Sequence, residues 1–455
     1  MRAELDIPIS LDELCDILSA NPSGSEYEYI RAICTDTREA AKGDLFIALC
    51  GNGGSGESYV NDALRIGCTV ISSTEANGII HVTDTSEALL KIAELYISKL
   101  KPKHTVAVTG SVGKSTTVKF LKRILSEKFN VHSPNGNFNN HIGVPFTVFS
   151  APCDAEVLVL ELGMNHAGEI SRLSRCVHPN LGIITGIGTA HVGNLGSRQG
   201  IARAKLEILD GMDSGMLILP RGEPLLQGVE GAIYVSDDPS LSEYSFCEIT
   251  DGLYELISPL GKISGIEFFD RRAHLIHDLA LAAVCAQIVG LTNDGIINGI
   301  RAISECDLRQ RFIELKDYTV FDDSYNASLE SIIADIRYIT SMKRPTGALL
   351  GDVLELGDLS EAIHERIGYE SARLGIKHLY LFGEYATYTA RGALSAGMAR
   401  ECIFINTDLL SPEISTSQIK DNHDSGEIIL FKASHKLRLD KIADLIKKEE
   451  GINND

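Results

Sequence analysis

Residues 107–120 read AVTGSVGKSTTVKF. An apolar run, Thr105–Val108, gives way to Gly110 and Gly113, then to Lys114 and the hydroxyls of Ser115, Thr116 and Thr117, and Thr116–Phe129 is patterned as a helix. Strand, glycine loop and helix in that order predict a phosphate cradle. Glycines take backbone conformations closed to other residues, so successive N–H groups can converge on one anion. The helix that follows adds its positive N-terminal end. The cradle spans Thr109, Gly110, Ser111, Val112, Gly113, Lys114, Ser115 and Thr116, with Lys114 reaching the β- and γ-phosphates and the Ser115 hydroxyl offered to Mg²⁺. Val108 stands where the strict pattern wants a small residue, so the match is imperfect. Kinases, motors, switch GTPases and ligases share such a loop, and the loop alone leaves all four open.

Outward from it, apolar strands recur at Glu156–Leu160, Leu181–Thr185 and Gly215–Leu219, with helical patterns at His166–Cys176, Gln199–Gly211 and Ala273–Gly290 between and after them. Strands alternating with helices predict an α/β fold with a doubly wound, mostly parallel sheet. Three domains are expected from 455 residues at about 150 per domain. Lys101-Pro-Lys-His104 breaks the helix Leu89–Leu100 and closes a small α/β domain, 1–103. The P-loop domain is expected over 104–307. Further strand-helix pairs at Gly347–Leu350, His378–Phe382 and Glu427–Lys432 give a third, Rossmann-like domain, 308–455.

Three stretches beside the loop carry chemistry. Asn135-Gly-Asn-Phe-Asn-Asn-His-Ile-Gly-Val-Pro145 gathers four amides near a turn, although asparagine is also a common turn residue. Glu161 closes an apolar strand, where doubly wound sheets keep their ligands, and a carboxylate opposite a P-loop is a natural Mg²⁺ ligand. His191 ends Gly186-Ile-Gly-Thr-Ala-His191, again just past a strand, a placement that suits metal coordination. Lys205, on the next helical pattern, has nothing in its local pattern to single it out.

Composition narrows the class. With 42 basic and 62 acidic residues the net charge is −20, which repels nucleic acid and anionic lipid, and no basic cluster offsets it. The start, MRAELDIPISLDEL, breaks the apolar core a signal peptide needs, and the longest apolar window, around Leu279–Leu291, is too short for a bilayer. A cytoplasmic protein without membrane insertion is expected, working on small molecules. None of the ten cysteines forms a C-x-x-C pair, so they are read as small buried hydrophobes.

Taken in order, TGSVGKSTT, NFNNHIGVP, ELGMNHAGEI, GIGTAHVGNLGS, ARAKLEI, FDDSYNAS, LLGDVLELGDLSEAIH and LFKASHKLRL resemble the Mur ligases of peptidoglycan synthesis, nearest to the branch that adds D-alanyl-D-alanine. The resemblance implies a three-domain architecture and an ATP-dependent amide ligase. It would join D-Ala-D-Ala to UDP-N-acetylmuramoyl-tripeptide through an acyl phosphate and a tetrahedral intermediate, releasing ADP and phosphate. It implies catalytic roles for Lys114, Glu161, His191 and Lys205. Two Mg²⁺ ions are implied, one on Ser115 and Glu161 and one on His191, with a carbamylated Lys205 supporting the second. Asn137, Asp278, Arg309, Asp323, Tyr325 and Asn326 would join the cradle in binding ATP. Thr35, Asp36, Arg38, Asn139, Asn140, His364, Lys432 and Ser434 would meet the other substrates. The third domain would close over the nucleotide, and a monomer is expected.

Four departures from that pattern stand out. Asp278 replaces an amide and, when ionised, accepts but cannot donate. Lys432-Ala-Ser-His435 lacks the family's arginine, and Ser328-Leu329 replaces Asn-Pro. Gly54-Ser-Gly-Glu-Ser-Tyr59 lacks the bulky apolar and basic groups expected where the uridine nucleotide sits. The alternatives are a Mur-type ligase serving another acid or amine, or a homologue that binds nucleotide without ligating. Keeping Lys114, Glu161, His191 and Lys205 together argues against the latter.

Overall fold

The computed structural model describes residues 1–21, 27–51, 54–308 and 310–449. Its strands form three main sheets and one short hairpin. Two compact units result, one holding Met1–Gly186, Arg203–Arg271 and Ile276–Ile303, the other Ile187–Ala202, Arg272–Leu275 and the chain from Ser304 onward.

In the first unit a five-stranded sheet runs in the order Arg2–Ser10, Tyr29–Cys34, Leu45–Ile47, Thr69–Ser72, Ile79–His81, antiparallel only in its first pair. The helix Thr85–Leu100 starts on Asp84, whose carboxylate accepts from the N–H groups of Ser86 and Glu87, and stops at Lys101 in the left-handed region. Tyr96 on this helix meets Phe149 edge-on at 6.0 Å, and Glu87 and Glu94 pair with Arg172 and His178. The helix therefore ties this sheet to the next within one unit. The strand Arg2–Ser10 and the pairing of Tyr29–Cys34 were not legible in the sequence.

The nine-stranded sheet carries the P-loop. Its order is Gly261–Glu267, Leu253–Ser258, Tyr244–Thr250, Ile233–Ser236, Met216–Pro220, Leu181–Ile184, His104–Thr109, Val157–Glu161, Val131–His132. All neighbours are parallel except the pairs linking 244–267, which form antiparallel hairpins. Every residue of Val157–Glu161 is buried, as a parallel strand covered on both faces requires. From the central strand His104–Thr109 the chain builds first to one side and then, at Leu181, to the other. The carboxyl ends of strands at such a switch point are where α/β sheets bind ligands.

The predicted helix start at Thr116 moves to Lys114, because Gly113 in the left-handed region serves as the cap. The helix Lys114–Leu125 buries Val118, Phe120, Leu121, Ile124 and Leu125. Gly299 lets the helix Asn293–Arg301 come close to it, since a Cβ there would lie 2.5 Å from Ile124 Cα.

The second unit is built on a six-stranded sheet, Arg311–Glu314, Tyr318–Asp322, Glu427–Lys432, Thr346–Gly351, His378–Phe382, Ile403–Asn406, with only the first pair antiparallel. Val320, Leu349, Tyr380, Ile429 and Phe431 form its core with Leu439 and Ile442 of the final helix. No helix among the described residues is long and apolar enough to cross a membrane.

Candidate active site

Two glycines shape the cradle. Gly110 has φ +153°, and a Cβ on it would fall 1.8 Å from Thr185 Oγ1; Gly113 has φ +85°, and its Cβ would meet Asp278 Oδ1 at 2.3 Å. Ser111 donates its N–H to Gly186 O at 3.0 Å, and Thr185 Oγ1 donates to Val112 O, so the neighbouring strand's end grips the loop. Val108 lies wholly inside the buried strand, where it accepts from Leu162 N. The apolar residue that spoils the strict pattern thus belongs to the sheet rather than the loop. Lys114 Nζ donates to Gly110 O at 2.7 Å, holding the ammonium over the cradle, and the Ser111 hydroxyl is buried without a protein partner. Thr109 is buried beneath, and Ser115 and Thr116 open the helix.

The asparagine-rich turn supplies orientation. Ser115 Oγ donates to one oxygen of Glu161, and Asn139 Nδ2 donates to the other at 2.8 Å while also reaching Asn137 Oδ1 at 2.8 Å. Asn140 turns away from this chain, its Oδ1 accepting from the N–H groups of Ile142 and Gly143 to start the helix Gly143–Phe149. One hydroxyl and one aimed carboxylate beside a phosphate cradle are the oxygen set Mg²⁺ takes when phosphates complete its shell.

Two buried ionisable groups lie in the same unit. Lys205 is 2% exposed; burial, helped by the Lys114 charge, pushes its ammonium well below the ordinary lysine range and so favours the neutral amine. Burial raises Asp278 well above the carboxylate range. Burial thus favours the neutral acid, which offers an O–H where the amide it replaces offers an N–H.

Asp278 also makes stability depend on pH. Unfolded, the carboxyl ionises near ~3.9, so its neutral form stabilises the fold fully only below that pH. The contribution is lost as pH rises towards the folded value. Asp278→Asn is expected to gain in melting temperature over the parent chain between pH 5 and pH 8. An equal difference at both pH values would contradict this.

In the second unit Asp323 accepts from Lys432 Nζ and, at 3.2 Å, from Gln310, while Lys432 also pairs with Asp335 at 2.8 Å. Burial pushes Asp335 up to about 7, whereas the Lys432 ammonium holds Asp323 low despite burial. Gln310 and Asp335 were missed by sequence reasoning; they come to Lys432 only through the sheet. Tyr325 packs on the His435 ring at 5.3 Å, and Asn326 Oδ1 accepts from Ala327 N. Arg309 lies outside the described residues.

Lys432, His364 and Ser434, expected to touch substrate, have their polar atoms turned onto the protein. Lys432 is buried between the two carboxylates. Both ring nitrogens of the buried His364 bond main chain, Nδ1 to Ser360 O and Nε2 to Val353 N, and Ser434 Oγ accepts from Leu354 N. Their observed work is to hold Asp323 and the loop 352–357. His191 bonds Glu355 through Nδ1.

In the first sheet Thr35, Asp36 and Arg38 follow the strand Tyr29–Cys34. The exposed Arg38 guanidinium forks onto Asp36 and holds its carboxyl below the usual range. The divergent stretch Gly54–Tyr59 pairs back on Cys50-Gly51 and then forms a short turn. Its Glu57 is spent on Ser72 Oγ and on the N–H and hydroxyl of Ser73.

A phosphate cradle at the switch point of a doubly wound sheet, with an aimed carboxylate across from it, defines a P-loop nucleotide-binding α/β protein. Residues 108–248 match the Mur ligase middle domain. The UDP-N-acetylmuramoyl-tripeptide–D-alanyl-D-alanine ligase of Bacillus subtilis is 33% identical over 94% of this chain and 95% of its own length. The crystal structure of MurF from Acinetobacter baumannii superposes with a TM-score of 0.86 at 25% identity, covering 97% of this chain and 99% of that one. MurF ligase from Thermotoga maritima, solved in complex with ADP, shares the fold at TM-score 0.78 and 23% identity over 92% and 97% of the two chains. This chain belongs to the Mur ligase family, in its D-alanyl-D-alanine-adding branch.

Proposed function

We propose that this chain is the ATP-dependent ligase that joins D-alanyl-D-alanine to UDP-N-acetylmuramoyl-tripeptide in peptidoglycan precursor synthesis, working in the cytoplasm as a monomer. The observation that carries the reading is Lys205, a lysine buried in the same unit as the P-loop, where burial disfavours its ammonium form. A phosphate cradle alone has no use for such a group, whereas a neutral amine takes up CO2 to become a carbamate. That change would set an anion near Lys114 where a cation would be repelled.

A carboxylate resists amine attack because its charge is delocalised and oxide cannot leave; phosphorylation removes both obstacles. The cradle N–H groups and Lys114 would hold the γ-phosphate and neutralise charge gathering on it in transfer to the tripeptide carboxylate. The amine of D-Ala-D-Ala would then attack the acyl phosphate, and the tetrahedral adduct would collapse to amide and phosphate. Ser115 and Glu161 would hold one Mg²⁺, and His191 with carbamylated Lys205 a second; these ions supply charge neutralisation at the phosphates. Asn137 and Asn139 keep Glu161 aimed, and Asp323, Tyr325 and Asn326 would serve the nucleotide. We assign 1–103 to the uridine-nucleotide substrate, 104–307 to ATP, and 308–455 to nucleotide and acceptor. Thr35, Asp36 and Arg38 offer exposed polar groups to the first of these.

Purified protein given ATP, Mg²⁺ and the UDP-muramoyl tripeptide should release phosphate only once D-Ala-D-Ala is added. Release indifferent to the amine would make it an ATPase, and turnover confined to other acids or amines would move it to another Mur-type reaction.

A further inference from the structure

His191 and Glu355 hold an unusual geometry on the second unit. Both have φ +64°, a left-handed backbone that residues with side chains seldom adopt, and their side chains meet through His191 Nδ1 and a Glu355 carboxylate oxygen. The backbones are locked together as well. Gly193 N donates to Glu355 O at 3.1 Å, and a Cβ on Gly193 would lie 2.6 Å from Gly357 N. No side chain fits between the two turns at that point.

The loop that carries Glu355 is fastened at each of its three preceding residues. The Asp352 carboxylate accepts from Glu384 N and Tyr385 N, Val353 N donates to His364 Nε2, and Leu354 N donates to Ser434 Oγ. Two of these anchors, His364 and Ser434, thus help to set the position of Glu355.

We propose that Glu355 is a positioning residue for His191: its carboxylate fixes the imidazole as the tautomer protonated on Nδ1 and leaves the Nε2 lone pair available to a metal ion. An ionised carboxylate can only accept, so Nδ1 must carry the proton and Nε2 must be the acceptor. A carboxylate behind a ligating histidine orients the ring and raises its basicity. The proposal rests on the reading of His191 as a metal ligand.

The test uses the full chain with ¹⁵N-labelled histidine, the His191 resonances being assigned from a His191→Ala sample. Metal-free parent protein should show His191 protonated on Nδ1. Glu355→Ala should move it towards the Nε2-protonated form, and Glu355→Gln, whose side-chain oxygen still accepts, should keep the parent tautomer. Mn²⁺ bound in the presence of a non-hydrolysable ATP analogue should be weakened about 10- to 100-fold in Glu355→Ala and far less in Glu355→Gln. An unchanged tautomer in Glu355→Ala overturns the proposal while leaving His191 a ligand. Unchanged Mn²⁺ affinity in His191→Ala overturns the ligand role itself.

Discussion

Lys205→Ala should lower kcat by on the order of 100- to 1,000-fold, the loss typical of removing one electrostatic group from a reaction centre. Its KM for ATP should change little, because the cradle is untouched. The side chain is 2% exposed, and burial together with the nearby Lys114 charge favours the neutral amine. Neutrality is what a lysine needs to react with CO2. Once carbamylated, the group would carry a negative charge that Lys114 attracts. A short carboxylate such as formate or propionate should enter the space left by the truncated side chain and restore part of the rate. CO2-free buffer should slow the parent chain and leave Lys205→Ala unaffected. Full activity in Lys205→Ala, or a rate insensitive to added carboxylate, would remove the assigned role.

Lys114→Met should cost kcat/KM about three decades. At about 4 Å from a phosphate oxygen, with an effective dielectric of about 20, one unit charge contributes about 4 kcal/mol, and each 1.36 kcal/mol is tenfold in rate. The ammonium is already held over the cradle by Gly110 O, so little reorganisation offsets that gain. Because Lys114 is only half-buried, the variant should melt close to the parent chain. A loss in kcat/KM below tenfold would mean that the phosphate is held by the N–H groups alone.

The central features were legible because their signals are local. Strand, glycines, lysine and hydroxyls fall within fourteen residues of AVTGSVGKSTTVKF, and Glu161 sits at the end of an apolar run whose burial follows from its composition. Val108, which weakened the pattern, turned out to be a strand residue. The role of the asparagine turn needed coordinates: Asn139 aims Glu161, whereas its neighbour Asn140 caps a helix, and nothing in the sequence separates the two amides.

Other features depend on residues distant in the chain. Glu355 reaches His191 across 164 positions, and Lys432 reaches Asp323 across 109. Neither pairing leaves a periodic trace. The sequence leaves the charge of Asp278 open, and only its burial, which favours the neutral acid, bears on it. The hairpins over 244–267 escaped notice because their strands mix exposed and buried positions in short runs with shifted register.

The measurement that bears most directly on the chemistry is the fate of the substrate carboxylate oxygen. UDP-N-acetylmuramoyl-tripeptide labelled with ¹⁸O in its terminal carboxylate should, with ATP, Mg²⁺ and D-Ala-D-Ala, deliver one ¹⁸O atom to the inorganic phosphate for each amide formed. Amide formed with phosphate free of label would contradict the acyl-phosphate route and with it the account of the site.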